Sequence, residues 1–232
     1  MPSPRRHFLA QLGAASLTGI ATPSLLHAAP APAVSPKFGR PDDHALPIAE
    51  TWDMSWTARV NGKYRAAFDS PEIGEGGALV RAVAWCDMYK EVYGTDRAEM
   101  SPVLVIRHAA IDLIMNDAYW ATYEVGKDNK LRNEQGKKWM MRNPLSSESA
   151  PNTEQGRKYT LQSFLAGGGI VLGCGWAFRF VASRIAKKDK LEAAEARKRA
   201  TAMIIPGVIL QPNGIFAVLR AQEAGCHYVL AS

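Results

Sequence analysis

The chain holds 3 cysteines in 232 residues, and none of them forms a C-x-x-C pair, so a thioredoxin-like redox centre is not expected. There is no C-x-x-C-H either, which excludes covalent haem attachment. Three thiols cannot all pair within one chain, so at least one is buried, shared between molecules or used. No Walker lysine follows any glycine cluster. "GCGWAF" spells G-x-G-x-x-F late in the chain and not the dinucleotide pattern at its opening, so nucleotide binding is not expected. His44, His108 and His227 are scattered without ligand spacing, which gives no metal site and no cofactor. No internal repeat is present, and no run of about 18 apolar residues follows the N-terminal segment, so no transmembrane span is expected once that segment is removed.

What the N-terminus does have is Arg5-Arg6-His7-Phe8-Leu9 followed by a weakly apolar run from Leu9 to Leu26 and an alanine-rich exit, with no acidic residue over 1–29. This resembles a twin-arginine export signal, and it predicts a periplasmic protein whose mature chain starts near Ala28 to Ala33. Residues 30–51, rich in proline and alanine and without period, read as a flexible leader. The formal net charge of +6 includes Arg5 and Arg6, so the remainder is only mildly basic. Much of the charge lies in "RIAKKDKLEAAEARKR" (184–199), where Asp189, Glu192 and Glu195 interrupt the cations and aromatics are missing. That mixture predicts a solvated helix face and no nucleic-acid partner.

The folded domain is expected from Trp52 to the end of the chain. "KYRAAFDS" (63–70) reads as a strand, and 74–94 as a helix with Leu79, Val83, Cys86 and Tyr93 on one face. "PVLVIRH" (102–108) is a wholly apolar second strand, as in a sheet covered on both faces. Residues 109–126 read as one or two short helices. Residues 127–157 are polar and aperiodic apart from Trp139-Met140-Met141, and predict a functional flap or a disordered insertion. Helical spacing resumes at "YTLQSFLAGG", then "GIVLG" (169–173) gives a third strand, followed by "WAFRFVASRIA" and the charged helix. "AMIIPGVILQP" (202–212) reads as a fourth strand, 213–225 as a helix and "CHYVLA" (226–231) as a closing strand. The alternation predicts an α/β domain, three-layer αβα, with a mostly parallel five-stranded sheet.

Ligands of open parallel sheets bind just past the carboxyl ends of the strands. Those positions hold Asp69 and Ser70, then Arg107 and His108, then Cys174, then Gln211 and Asn213. A cysteine opening a helix meets free backbone N–H groups and the positive end of the dipole, which stabilise a thiolate. Cys174 is therefore expected to be a nucleophilic, partly exposed thiol, with Arg107 and His108 lowering its pKa. Gly173 and Gly175 are expected to admit a ligand or to adopt positive φ. Cys86 and Cys226 are expected to be core residues.

"RAAFDS" before a long helix, "VLVIRHAAIDLIM", "GGGIVLGCGWAF" and "IIPGVILQPNGIFAVLRAQEAGCHYVL" together resemble the DsrE/DsrF-like sulfur-relay family over residues 63–231, interrupted at 127–157. The resemblance implies small α/β subunits assembled as trimers or hexamers, a persulfide on Cys174, and donor and acceptor proteins for its sulfur. Three readings stand at this point: a periplasmic sulfur carrier acting through Cys174, a non-enzymatic binding or assembly module in which Cys174 is structural, and a cofactor-binding redox accessory, which draws only on the export route.

Overall fold

A computed structural model describes residues 52–231 apart from 134, 135, 149 and 152. The export signal and the leader fall outside the described residues. Strand β1 is Tyr64–Ser70, and helix α1 is Gly77–Tyr93. The helix stops because Gly94 takes a left-handed φ of 66° and returns its N–H to the Lys90 carbonyl, a cap that a residue with a Cβ adopts only at a cost. Asp96 and Glu99 then close a capping box that turns the chain into β2, Met100–Ile106.

All seven residues of β2 are buried. Pro102 fits this central strand because pairing with β3 starts one residue later, at Val103. After β2 come a 3₁₀ segment (His108–Ile114) and three short helices, α2 (Asp117–Thr122), α3 (Val125–Asp128) and α4 (Glu154–Lys158). Helix α5 (Leu161–Ala166) leads into β3 (Ile170–Cys174), which passes directly into α6 (Gly175–Asp189). Helix α7 (Ala193–Ala202), β4 (Ile209–Gln211), α8 (Gly214–Glu223) and β5 (His227–Leu230) complete the chain.

The sheet has five strands in the order β4-β3-β2-β1-β5, and every pairing is parallel. From β1 the chain steps outward to β4, then crosses back to lay β5 on the other side of β1. The first three crossovers cover one face, where Phe68, Leu104, Ile106 and Val171 pack with Leu79, Phe178 and Ile185. Helix α8 covers the opposite face, setting Ala217, Val218 and Ala221 with Trp56 and Val60 against Ala67, Val103, Val105 and Leu172. The expected three-layer α/β architecture is thus present. Each fully buried side chain of this size contributes roughly 1.5–3 kcal/mol relative to exposure.

Three local expectations are corrected. The fourth strand is only Ile209–Gln211, because Ala202 still ends α7, Ile204 bridges to Met115, and Gly207 turns at φ 92°. Tyr93 is 68% exposed, since α1 outruns the sheet at its C-terminal end; Ala78, Leu79 and Ala82 supply the buried side. The polar stretch 127–157 is built onto the domain. Its Asn143 is fully buried, donating from Nδ2 to the carbonyls of Leu113 (2.7 Å) and Met115 (2.6 Å) and accepting from the Leu145 N–H at 2.9 Å. Met140 packs on the core, and Trp139 stacks under Arg132 at 3.4 Å from the guanidinium carbon to the ring centre.

Candidate functional site

Strand β3 exits into α6 on one face and β4 exits toward α8 on the other. The neighbouring carboxyl ends of β3 and β4 therefore diverge, and in open α/β sheets that divergence creates a crevice. Cys174 ends β3 directly opposite Gln211, which ends β4. Its extended backbone makes it the N-cap of α6, and its Sγ accepts the Ala177 N–H at 3.3 Å. The thiol is 6% exposed, so the expected partial exposure is corrected: the first turn of α6 folds over the sulfur it is bonded to.

The flanking glycines also serve differently from expectation. Neither Gly173 nor Gly175 is among the glycines with positive φ. A Cβ on Gly173 would lie 2.9 Å from Ile114 Cδ1 and 3.0 Å from Leu210 Cδ2; one on Gly175 would lie 2.6 Å from the Gln211 carbonyl and 3.0 Å from the Trp52 ring. Their missing side chains make room for protein, not ligand. The Trp52 ring is thereby part of the wall beside Cys174, a position no periodicity announced.

Gln211 is fully buried. Its Nε2 donates to the carbonyls of Asp53 at 2.9 Å and Leu210 at 3.0 Å, while Oε1 has no hydrogen-bond partner among the described residues. An unmet buried acceptor costs roughly 1–3 kcal/mol unless a water or ligand donates to it. Asn213 caps α8, its Oδ1 accepting the Phe216 N–H at 2.8 Å.

Arg107, the residue after β2, is committed to Asp69 at the end of β1. Nε reaches Oδ1 at 2.7 Å and Nη2 reaches Oδ2 at 2.8 Å, a two-pronged pair on a carboxylate that is 2% exposed. The Tyr228 hydroxyl, from β5, donates to the same Oδ2 at 2.9 Å. Hydrogen bonding to Asp69 holds the Arg107 guanidinium still further above its usual range, with the charges of Asp69, Tyr228 and Cys174 acting in the same direction. Burial, and then the neighbouring carboxylate, push the Tyr228 phenol up. Sequence reasoning missed Tyr228, whose role depends on β5 lying beside β1. Ser70 closes its own turn by donating to the Glu72 carbonyl at 3.2 Å.

His108 stands apart. Its backbone is left-handed at φ 50°, its side chain is 70% exposed, and its Nδ1 lies 3.4 Å from Glu72 Oε1 at the rim. The structure thus joins Asp69 to Arg107 and Cys174 to Gln211, and sets His108 outward.

The other two thiols are held toward their neutral form. Burial pushes Cys226 up to about 11, against a smaller opposing effect from Arg65. Burial also raises Cys86, which is half-buried on α1, with Arg97 opposing. Among the described residues there is no group of three or more His, Cys, Asp or Glu side chains placed to hold a metal ion, and no helix is long and apolar enough to cross a membrane. Comparison of the chain with protein-family models and with curated proteins finds no match.

Proposed function

We propose that this is an exported sulfur carrier of the DsrE-like kind, in which Cys174 holds sulfur as a persulfide. The observation that carries the reading is the position of Cys174: a thiol at the diverging ends of β3 and β4, bonded through Sγ to the first turn of a fifteen-residue helix. Free N–H groups at a helix start stabilise an anion on that sulfur.

The transfer balances without an external oxidant. The Cys174 thiolate attacks the outer sulfur of a donor persulfide; an S–S bond forms at Cys174 as the donor's S–S bond breaks, and the donor thiolate leaves with the electron pair. Passage to an acceptor thiolate repeats the exchange and restores Cys174. Such a carrier works as a homo-oligomer, trimeric or hexameric, between donor and acceptor proteins.

Incubation of the mature protein with a sulfane-sulfur donor, followed by mass spectrometry of its cysteine peptides, tests this. A gain of one sulfur on Cys174 and not on Cys86 or Cys226 is the expected result; three unmodified thiols overturn it. A second reading, a binding or assembly module, is favoured by one observation: Trp176 and Phe180 lie one turn apart on α6, 53% and 72% exposed, as do Ile215 and Leu219 on α8. Sedimentation of a Phe180→Ser variant against the parent protein tests that surface, and an unchanged assembly state removes it.

A further inference from the structure

Cys174 is sealed, and a thiol that exchanges sulfur with another protein has to be reached. The groups around it differ in what moving them would break. The first turn of α6 holds the sulfur itself through the Ala177 N–H. Gly173 is backed by Ile114, which is fully buried, and by Leu210 of β4, which packs on the core. Gly175 is backed by the Gln211 and Pro212 carbonyls at the end of β4 and by the Trp52 ring. All of these but Trp52 belong to the core, to the sheet and the chain leaving it, or to a fifteen-residue helix. Trp52 lies ahead of the 3₁₀ turn Ser55–Arg59 and of β1, and is half-buried.

The segment before β1 falls into two parts. From Trp56 onward it is anchored: Trp56 and Val60 are buried between α8 and the sheet, and Arg59 Nη2 donates to the Gly169 carbonyl at 3.2 Å. Ahead of Trp56, residues 52–55 are half-buried or exposed. They are fastened by the Gln211 Nε2 bond to the Asp53 carbonyl at 2.9 Å, by the Trp52 ring over Gly175, and by Met54 at the margin of the core. The Gln211 hold is incomplete, because its Oε1 is sealed without a partner among the described residues. Opening would hydrate that acceptor and so offset part of the lost Asp53 bond. A segment held by so few contacts opens at far smaller cost than the sheet beneath it.

We propose that residues 52–55 form a hinged strap beside Cys174, latched by Gln211 and anchored at Trp56, and that the thiol is reached while the strap is lifted. This deepens the carrier reading above and rests on it for its purpose, though not for its geometry. Closed, the strap shields a persulfide on Cys174 from water and from stray thiols. Lifted, it uncovers the crevice where β3 and β4 diverge, so that exchange follows the population of the open state.

The test is the rate at which N-ethylmaleimide modifies each cysteine at one fixed pH, read by mass spectrometry on the full-length chain and on Trp52→Ala and Gln211→Leu. Both side chains are uncharged, so the comparison reads access to the sulfur. Trp52→Ala removes part of the wall and is expected to speed modification of Cys174 by about 10-fold. Gln211→Leu removes the latch and is expected to speed it by about 2- to 10-fold, the factor one net hydrogen bond gives to an opening equilibrium. Cys226, equally buried but just ahead of β5, is the control and is expected to keep the parent rate. Equal Cys174 rates in the parent and both variants overturn the proposal. Joint acceleration of Cys174 and Cys226 overturns it too, since that reports loosening of the whole domain. Sulfur loading of the same proteins separates the two ideas: faster modification of Cys174 without loading removes the carrier and leaves the strap, while loading with unchanged modification rates does the reverse.

Discussion

The Ala177 N–H donates to Cys174 Sγ across 3.3 Å, which makes a sulfur the cap of a helix. Serine, threonine, asparagine and aspartate usually fill that place, and a thiol is a weaker acceptor than any of them. Cys174 is therefore a residue that stability alone does not choose.

Replacing it separates the two roles. Cys174→Ser is expected to be as stable as the parent or more so, since a hydroxyl caps better, while Cys174→Ala loses the cap and about 0.5–1 kcal/mol. Both lose sulfur loading entirely. Urea denaturation beside mass spectrometry checks this, and a Cys174→Ser variant that still gains sulfur contradicts it.

A second prediction concerns the buried network on the first face. Arg184 Nη1 lies 2.7 Å from Asp112 Oδ1 and also bonds the Tyr119 hydroxyl, which in turn donates to Asp112 at 3.0 Å. Asp112 and Tyr119 are both buried. Arg184→Leu strands a buried carboxylate and is expected to cost about 3 kcal/mol. Asp112→Asn is expected to cost less, since the carboxamide keeps one acceptor. Thermal unfolding that ranks the two in the opposite order rules this account out.

The alkaline limit of stability is set partly by Cys226. Its folded pKa is raised from the ordinary 9.0 to about 11 by burial. Between those values the unfolded chain has released the proton and the folded one has not, so the stabilising contribution is whole below pH about 9 and drains away as pH climbs to about 11. Cys226→Val is expected to flatten this part of the stability profile. Burial acts on Tyr119 in the same direction, with the Asp112 charge adding to it, so some slope persists. Equal slopes in the variant and the parent contradict the assignment.

The polar stretch hangs on one side chain. Asn143→Ala leaves the Leu113 and Met115 carbonyls and the Leu145 N–H without their partner, and is expected to cost about 2–4 kcal/mol. Limited proteolysis is expected to cut first within 127–157 while the circular dichroism of the sheet persists. Loss of all structure at once contradicts that order.

The fold was legible because its signals are local. Apolar runs such as 102–106 announce strands covered on both faces, and the order of strands and helices leaves few arrangements open. Cys174, Arg107, Asp69, Gln211 and Asn213 could be assigned to one edge by counting forward from each strand. What counting cannot reach is who touches whom. Tyr228 and Asp69 meet only because the last strand returns to the first, and Trp52 reaches Gly175 from the segment before β1, which Gln211 at the end of β4 holds through the Asp53 carbonyl. Asn143 looked like a loop residue because its polarity is genuine; its hydrogen bonds go to carbonyls about thirty positions away. Burial of the thiol, too, follows from the first turn of α6 closing over it, which no spacing reveals.

Strand β5 lies beside β1, and Tyr228 is 159 positions from the carboxylate it bonds. A chain emerging from the ribosome can assemble β1 through β4 in order, but the flank of β1 stays open until residues 227–230 have been made. Until then the Asp69 carboxylate lacks one of its donors and the edge of β1 stands unpaired, which is the kind of open strand edge that invites pairing with another chain.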